Sequence, residues 1–172
     1  MNIKIPDLPP DLYTLSQVCI LTNDIKSLME QYVSLGIGPF KVYKQDCTQI
    51  EGVQYRGEPA RYSLEVAWAP LGGPMTLELL QPDHEHGGSI YKEFMDKHGE
   101  GMHHLGVNAS DYQAAYDELV RRGFSNTQGG PIIGLDRTGR YDYFDTEEVF
   151  GTCLEILDMP NDLGPPAYVF PE

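Results

Sequence analysis

A mixed α+β domain, made of two βαβββ modules forming a curved mixed sheet around a metal cleft, is the architecture expected from three observations. First, the chain carries an internal repeat: "LSQVCILTNDI" (15–25) lies over "MHHLGVNASDY" (102–112) without gaps at an offset of 87 residues, pairing Gln17 with His104, Asp24 with Asp111 and Gly36 with Gly123. The copies share pattern rather than identity. Second, period-two alternation, helical spacing and period-two alternation follow one another in both copies. Third, four polar residues, Gln17, Glu78, His104 and Glu155, sit inside apolar strands, two at equivalent places in each copy.

The 172 residues read as one domain, and the first module is placed at 12–82. Apolar alternation over 14–21 predicts its first strand, and Ile25, Leu28, Met29 and Tyr32 predict a helix ended by Gly36 and Gly38. "PFKVYKQ", "ARYSLEVAWAP" and "MTLELLQP" then read as three strands separated by Gly/Pro punctuation. A linker at 83–100 is expected to hold a short helix with Ile90, Phe94 and Met95 on one side. The second module is placed at 101–158. Ser110 and Gln113 suggest a capping box for its helix, whose apolar stripe is Tyr112, Ala115, Tyr116, Leu119 and Val120. "GRYDYFDT" and "GTCLEILD" supply its later strands, so that Leu77-Glu78-Leu79 matches Leu154-Glu155-Ile156. The proline-rich tail at 159–172 is expected to be extended, on the domain itself or on a partner subunit.

Composition narrows the function. A net charge of −14 opposes nucleic acid, whose phosphates need a basic face, and opposes an anionic membrane surface. No apolar run reaches the ~18–20 residues of a membrane span, and the first residues lack a signal-peptide apolar region. Cys19, Cys47 and Cys153 form no CxxC pair and read as reduced thiols, so a cytoplasmic protein is expected.

Carboxylates, an amide and an imidazole inside sheets are costly unless something satisfies them. Solvent on a wet sheet face would serve for any one of them. The symmetry of all four points instead to convergence in one cleft, where a divalent cation (Zn, Co, Ni, Mn, Fe or Mg) satisfies the set Gln17, Glu78, His104 and Glu155. Because neighbours on a strand face opposite ways, His104 is the inward histidine and His103 is expected on the outer face.

"LGIGPF", "LELLQP", "GEGMHHLGV" and "GTCLEIL" resemble the vicinal oxygen chelate superfamily, which includes glyoxalase I, methylmalonyl-CoA epimerase, extradiol dioxygenases and resistance proteins. The likeness covers roughly 12–158. "LEVAWAP" (64–70) and the order of motifs after it resemble the methylmalonyl-CoA epimerase branch. That resemblance implies a catalytic base at Glu65, placed toward the cleft with Arg61 and Ser63, and Tyr62, Leu64, Val66 and Trp68 on the other face. It also implies a homodimer. The epimerases usually have histidine where this chain has Gln17, and often glutamine where it has Glu78. The set found here resembles that of eukaryotic-type glyoxalase I. Yet Leu21 and Glu100 stand where that enzyme has glutathione-binding arginines, which argues against a glutathione substrate.

Both relatives remove a proton next to a carbonyl through a metal-stabilised enolate. The expectation is therefore a metal-dependent isomerase or epimerase, or a glyoxalase-type lyase, acting on a small carbonyl compound. Glu65 and Glu155 are the expected catalytic acids on opposite faces. Arg61, Arg137 and Arg140 are candidates for an anionic substrate group, and Trp68, Tyr141, Tyr143 and Phe144 for an apolar wall. A non-catalytic small-molecule-binding or resistance protein of the same superfamily is the alternative. An iron dioxygenase, which uses two histidines and a carboxylate, ranks below both.

Overall fold

A computed structural model describes residues 12–83, 87–132 and 138–171. The elements run β1 (Tyr13–Leu21), α1 (Ile25–Ser34), β2 (Phe40–Asp46), β3 (Gln54–Tyr55), β4 (Glu58–Pro59), β5 (Ser63–Gly72), β6 (Met75–Pro82), α2 (Ile90–His98), β7 (Gly101–Ala109), α3 (Tyr112–Arg121), β8 (Asn126–Pro131), β9 (Arg140–Phe144), α4 (Glu147–Phe150), β10 (Cys153–Asp158) and β11 (Tyr168–Phe170). The strands join one curved, open sheet in the order β11-β2-β5-β6-β1-β7-β10-β9-β8-β3-β4. The fold is the mixed α+β one expected. No helix among the described residues is long and apolar enough to cross a membrane.

The order repeats about its middle. β1 lies parallel to β6, β7 lies parallel to β10, and the two opening strands pair antiparallel with each other. That central pair joins the two modules within one chain.

Local chemistry explains the matching helices. Asp24 and Asp111, equivalent in the repeat, each accept a hydrogen bond from the backbone N–H three residues on, at 3.0 Å. Such caps contribute about 1 kcal/mol each. Asp111 rather than Ser110 is therefore the capping residue of α3, because its carboxylate reaches Ala114 N. Both helices stop where Gly36 (φ 85°) and Gly123 (φ 93°) enter the left-handed region that glycine adopts without strain.

The helices α1 and α3 cover the outer face. Ile25 and Met29 pack on Ala67, Ala69, Leu77 and Leu79, while Ala115 and Leu119 pack on Val107, Phe144 and Ile156. The inner face holds a third cluster that includes Leu64, Val66, Leu80 and Tyr143, with Tyr91 and Met95 of α2 packed against it. β8, "NTQGGP", was not among the strands expected. Its glycines and proline leave no apolar alternation, and pairing with β9 holds it in place. The tail lies on its own domain: β11 pairs antiparallel with the edge strand β2.

Candidate metal centre

Four adjacent strands, β6-β1-β7-β10, carry Glu78, Gln17, His104 and Glu155 in turn. All four side chains are buried, His104 at 0% exposure. Their tips meet. His104 Nε2 stands 3.1 Å from Glu78 Oε2 and 3.1 Å from Glu155 Oε2. Gln17 Nε2 donates to Glu155 Oε2 at 2.7 Å and to Glu78 Oε2 at 3.3 Å, and lies 3.3 Å from His104 Nε2. The sequence repeat thus becomes a spatial constellation, because equivalent strands flank the central pair.

The packing that permits this is visible at Gly106, which is paired with Gln17 on one side and Glu155 on the other. A Cβ there would stand 2.3 Å from Gln17 Cγ. Glycine leaves the room the amide occupies.

Burial and charge shape the protonation. Burial works against a charged His104, but Glu155 and Glu78 outweigh it and hold the imidazole up at about 9. Burial pushes Glu155 up, and His104 pulls it partly back. Trp68 Nε1 donates to Glu78 Oε1 at 2.8 Å, which leaves Oε2 facing the cluster. Tyr143 hydrogen-bonds Glu155, and Tyr91 Oη donates to Tyr143 Oη at 3.0 Å.

The donor set fits a divalent cation. Ligand atoms in neighbouring octahedral positions about 2.1 Å from an ion stand about 3.0 Å apart. The separations here run from 2.7 to 3.3 Å. N–H groups of Gln17 and His104 now satisfy the carboxylates. A half-turn of the amide presents Gln17 Oε1, the end that ligates cations. Cys19, read from the sequence as a reduced thiol, belongs to the same neighbourhood: its sulfur, a Glu78 oxygen and a His104 nitrogen lie within 4.8 Å of one another. Its β1 position two residues after Gln17 was the available signal.

Two expectations are corrected. His103 does not face outward. The β1–β7 register slips between Cys19/Ile20 and His104/Met102, so His103 is the extra residue of a bulge. The bulge breaks the alternation and turns both rings inward. His103 Nδ1 lies 2.8 Å from His104 Nδ1, and its ring packs edge-on to Phe94 at 5.0 Å. Burial, with His104 beside it, keeps its pKa well below the usual value.

Nor does β5 turn Glu65 to the cleft. Trp68 opposes Glu78 in the register, so Leu64, Val66 and Trp68 line the cleft and Glu65 faces the other way. There Glu65 Oε1 accepts from Tyr168 Oη of the tail at 2.6 Å. The two apolar helices cover only part of the outer face, and the polar set of β5 belongs to that face rather than to the cleft.

Of the expected wall, Trp68, Tyr141 and Tyr143 line the cleft, whereas Phe144 packs under α3. Arg140 stacks over Tyr112, 3.7 Å from its centroid, Arg61 is exposed, and Arg137 lies outside the described residues. Leu21 is core, and Glu100 anchors a turn through Asn23 N at 2.6 Å.

A family model for the glyoxalase/bleomycin resistance protein/dioxygenase superfamily matches residues 16–144. The chain belongs to that superfamily. No curated protein matches the sequence. Among solved structures, this superfamily member is similar to a hypothetical protein from Bacillus halodurans, with 18% identity, a TM-score of 0.64, and coverage of 88% of this chain and 98% of that one. It is also similar to methylmalonyl-CoA epimerase from Mycobacterium tuberculosis, with 22% identity, a TM-score of 0.62, and 89% and 93% covered. A Streptomyces coelicolor methylmalonyl-CoA epimerase variant, bound to 2-nitronate-propionyl-CoA, gives 20% identity, a TM-score of 0.59, and 85% and 96% covered. At these identities the likeness is one of fold.

Proposed function

We propose that this chain is a metal-dependent enzyme that abstracts a proton next to a carbonyl, as an isomerase, epimerase or glyoxalase-type lyase. The observation that carries the reading is the meeting of Gln17, Glu78, His104 and Glu155 at the floor of a buried cleft, where Gln17 Nε2 and His104 Nε2 stand within 3.3 Å of each other and of an oxygen of each carboxylate. Gln17, Glu78, His104 and Glu155 would hold the cation. A bound divalent cation supplies Lewis-acid stabilisation of the charge that develops on a carbonyl oxygen.

The chain's own residues do the rest. Glu155 is the proton acceptor: burial raises its proton affinity, and the Tyr143 hydrogen bond fixes the carboxylate. Glu78, on the other module, is the second carboxylate of the cleft and takes the place expected of Glu65: protonated beforehand, it would deliver its own proton to the opposite face, while Glu155 keeps the one it removed and later passes it to solvent. Trp68 orients it through Nε1. The buried walls keep water from competing for the proton.

The test is solvent exchange in D₂O, followed by NMR with the metal-loaded protein and a panel of α-hydroxyketones and acyl thioesters. Wild-type protein is expected to exchange the α-proton of at least one member. With metal content matched, Glu155→Gln should lower that rate by at least about 100-fold, the lower range of a positioned acid–base group. Glu65→Gln should leave it within about twofold, since the side chain points away from the cleft. Tight ligand binding with no exchange in any metal form would instead identify a sequestering protein.

A further inference from the structure

We propose that Trp68 is a positioning residue: its indole N–H holds Glu78, while that carboxylate is a ligand, to a single oxygen, and so keeps a coordination position of the cation open for water or a substrate carbonyl. The inference rests on the cation reading of the cluster and is independent of the proton-abstraction step.

The strands set the pair. Trp68 on β5 and Glu78 on β6 are directly opposed in the antiparallel register, so their side chains stand on the same face within reach of each other. Tyr43 on β2 packs against the indole, with ring centroids 5.1 Å apart. Trp68 Nε1 donates to Glu78 Oε1 at 2.8 Å. Glu78 Oε2 faces the cluster, 3.1 Å from His104 Nε2 and 3.3 Å from Gln17 Nε2. The two oxygens therefore have different neighbours. An indole N–H only donates, so it can neither ligate a cation nor trade roles with the oxygen it holds. A hydrogen bond to a charged carboxylate is also roughly twice as strong as a neutral one. The Cys19 thiol hydrogen-bonds Glu78 as well, but a thiol is a weak donor. The second module repeats the arrangement: Glu155 is directly opposed by Tyr143 on β9, which hydrogen-bonds it.

Counting positions shows what the indole changes. Carboxylates bind hard cations through one oxygen or through both. Gln17, Glu78, His104 and Glu155, each giving one atom, leave two positions of an octahedral ion open. Each carboxylate that closes on the ion with both oxygens takes one of them. With both closed, no place remains for a substrate oxygen. The cleft has the room for what the open positions would hold. Its space of about 40 Å³ is bounded by Gln17, Glu78, Glu155 and Trp68 among others. That is enough for about three waters at ~10–15 Å³ each.

Manganese is the probe, because the waters bound to it can be counted from water-proton relaxation. Chelator-treated wild-type protein is loaded with one equivalent of Mn(II), and free manganese is followed by electron paramagnetic resonance. The bound ion should carry about two waters. Trp68→Phe frees Glu78 Oε1 to bind, so the relaxivity should fall by about half and manganese should bind more tightly. Trp68→Leu, a second variant without the donor, should behave in the same way. Trp68→Gln restores an N–H donor at about the reach of the indole N–H. It should return the water count to the wild-type value, which a role in packing alone would not do. An unchanged or higher count in the variants without the donor, or an equal fall in Trp68→Gln, overturns the proposal. So does a wild-type ion without bound water, a result that needs no variant to fold. Failure of manganese to bind at all overturns the cation reading together with the proposal. The expected counts without α-proton exchange in D₂O remove the reaction and retain the role of Trp68.

Discussion

His104 is fully buried between two carboxylates, and its behaviour follows from that placement. Held at about 9 against an ordinary 6.5, the metal-free imidazole is charged at neutral pH. A raised folded pKa means the folded state binds the extra proton, so this stabilisation is full below 6.5 and is lost as pH rises through 9. His103, kept neutral by burial, costs stability only as pH falls below 6.5, and the buried thiols, pushed up by burial, cost stability only as pH approaches their ordinary value of about 8.5, so His104 dominates between the two. The chelator-treated protein should therefore lose thermal stability across that window. Metal binding must expel the proton, so divalent-metal affinity should rise about tenfold per pH unit up to about pH 9 and then flatten, as read by competitive chelator titration.

His103 supplies the partner for the other ring nitrogen of His104, 2.8 Å away. Such outer partners fix the tautomer and orientation of a ligand histidine. His103→Phe keeps the ring packing on Tyr91 and Phe94 but removes the nitrogen. It should weaken metal binding by about 10–100-fold while near-native melting persists.

Strand β7 does two things that neither of its histidines does alone. Its bulge turns two consecutive rings to one side, and Gly106 clears space for the amide of Gln17. Gly106→Ala should destabilise the protein by about 1–3 kcal/mol and weaken metal binding, since the methyl group overlaps Gln17. The double variant Gly106→Ala/Gln17→Ala should recover most of that stability but not metal binding. Denaturant melts of the four proteins in this cycle give the coupling. The helical stripes, the capping aspartates and the terminal glycines were legible because each rests on contacts within a few residues. The phase of β5 was not. Alternation shows that Glu65 and Trp68 lie on opposite faces, but which face turns inward is set by the pairing of Trp68 with Glu78, a contact with another strand.

The whole molecule is a sheet with a pseudo-twofold centre at β1–β7 and open edges. At one end β11 covers β2, pairing Tyr168 with Val42 and Phe170 with Phe40, and ties to β5 through Tyr168 and Glu65. Deleting residues 165–172 strips that cover from a strand carrying Phe40 and Val42, both fully buried. The truncated protein should melt lower and associate with rising concentration, as uncapped edge strands do, and light scattering after size-exclusion chromatography reads the change.

From the sequence came the repeat, the two-module architecture and the four residues that meet at the floor of the cleft. Those conclusions need only period, spacing and the cost of polar groups in apolar strands, all of which are carried along the chain. The inward turn of His103, the outward turn of Glu65, the approach of Cys19 and the tyrosine wall came from the folded sheet. Each depends on strand register or on side chains far apart in sequence, and a register is chosen by the partner strand, not by the strand that carries the residue.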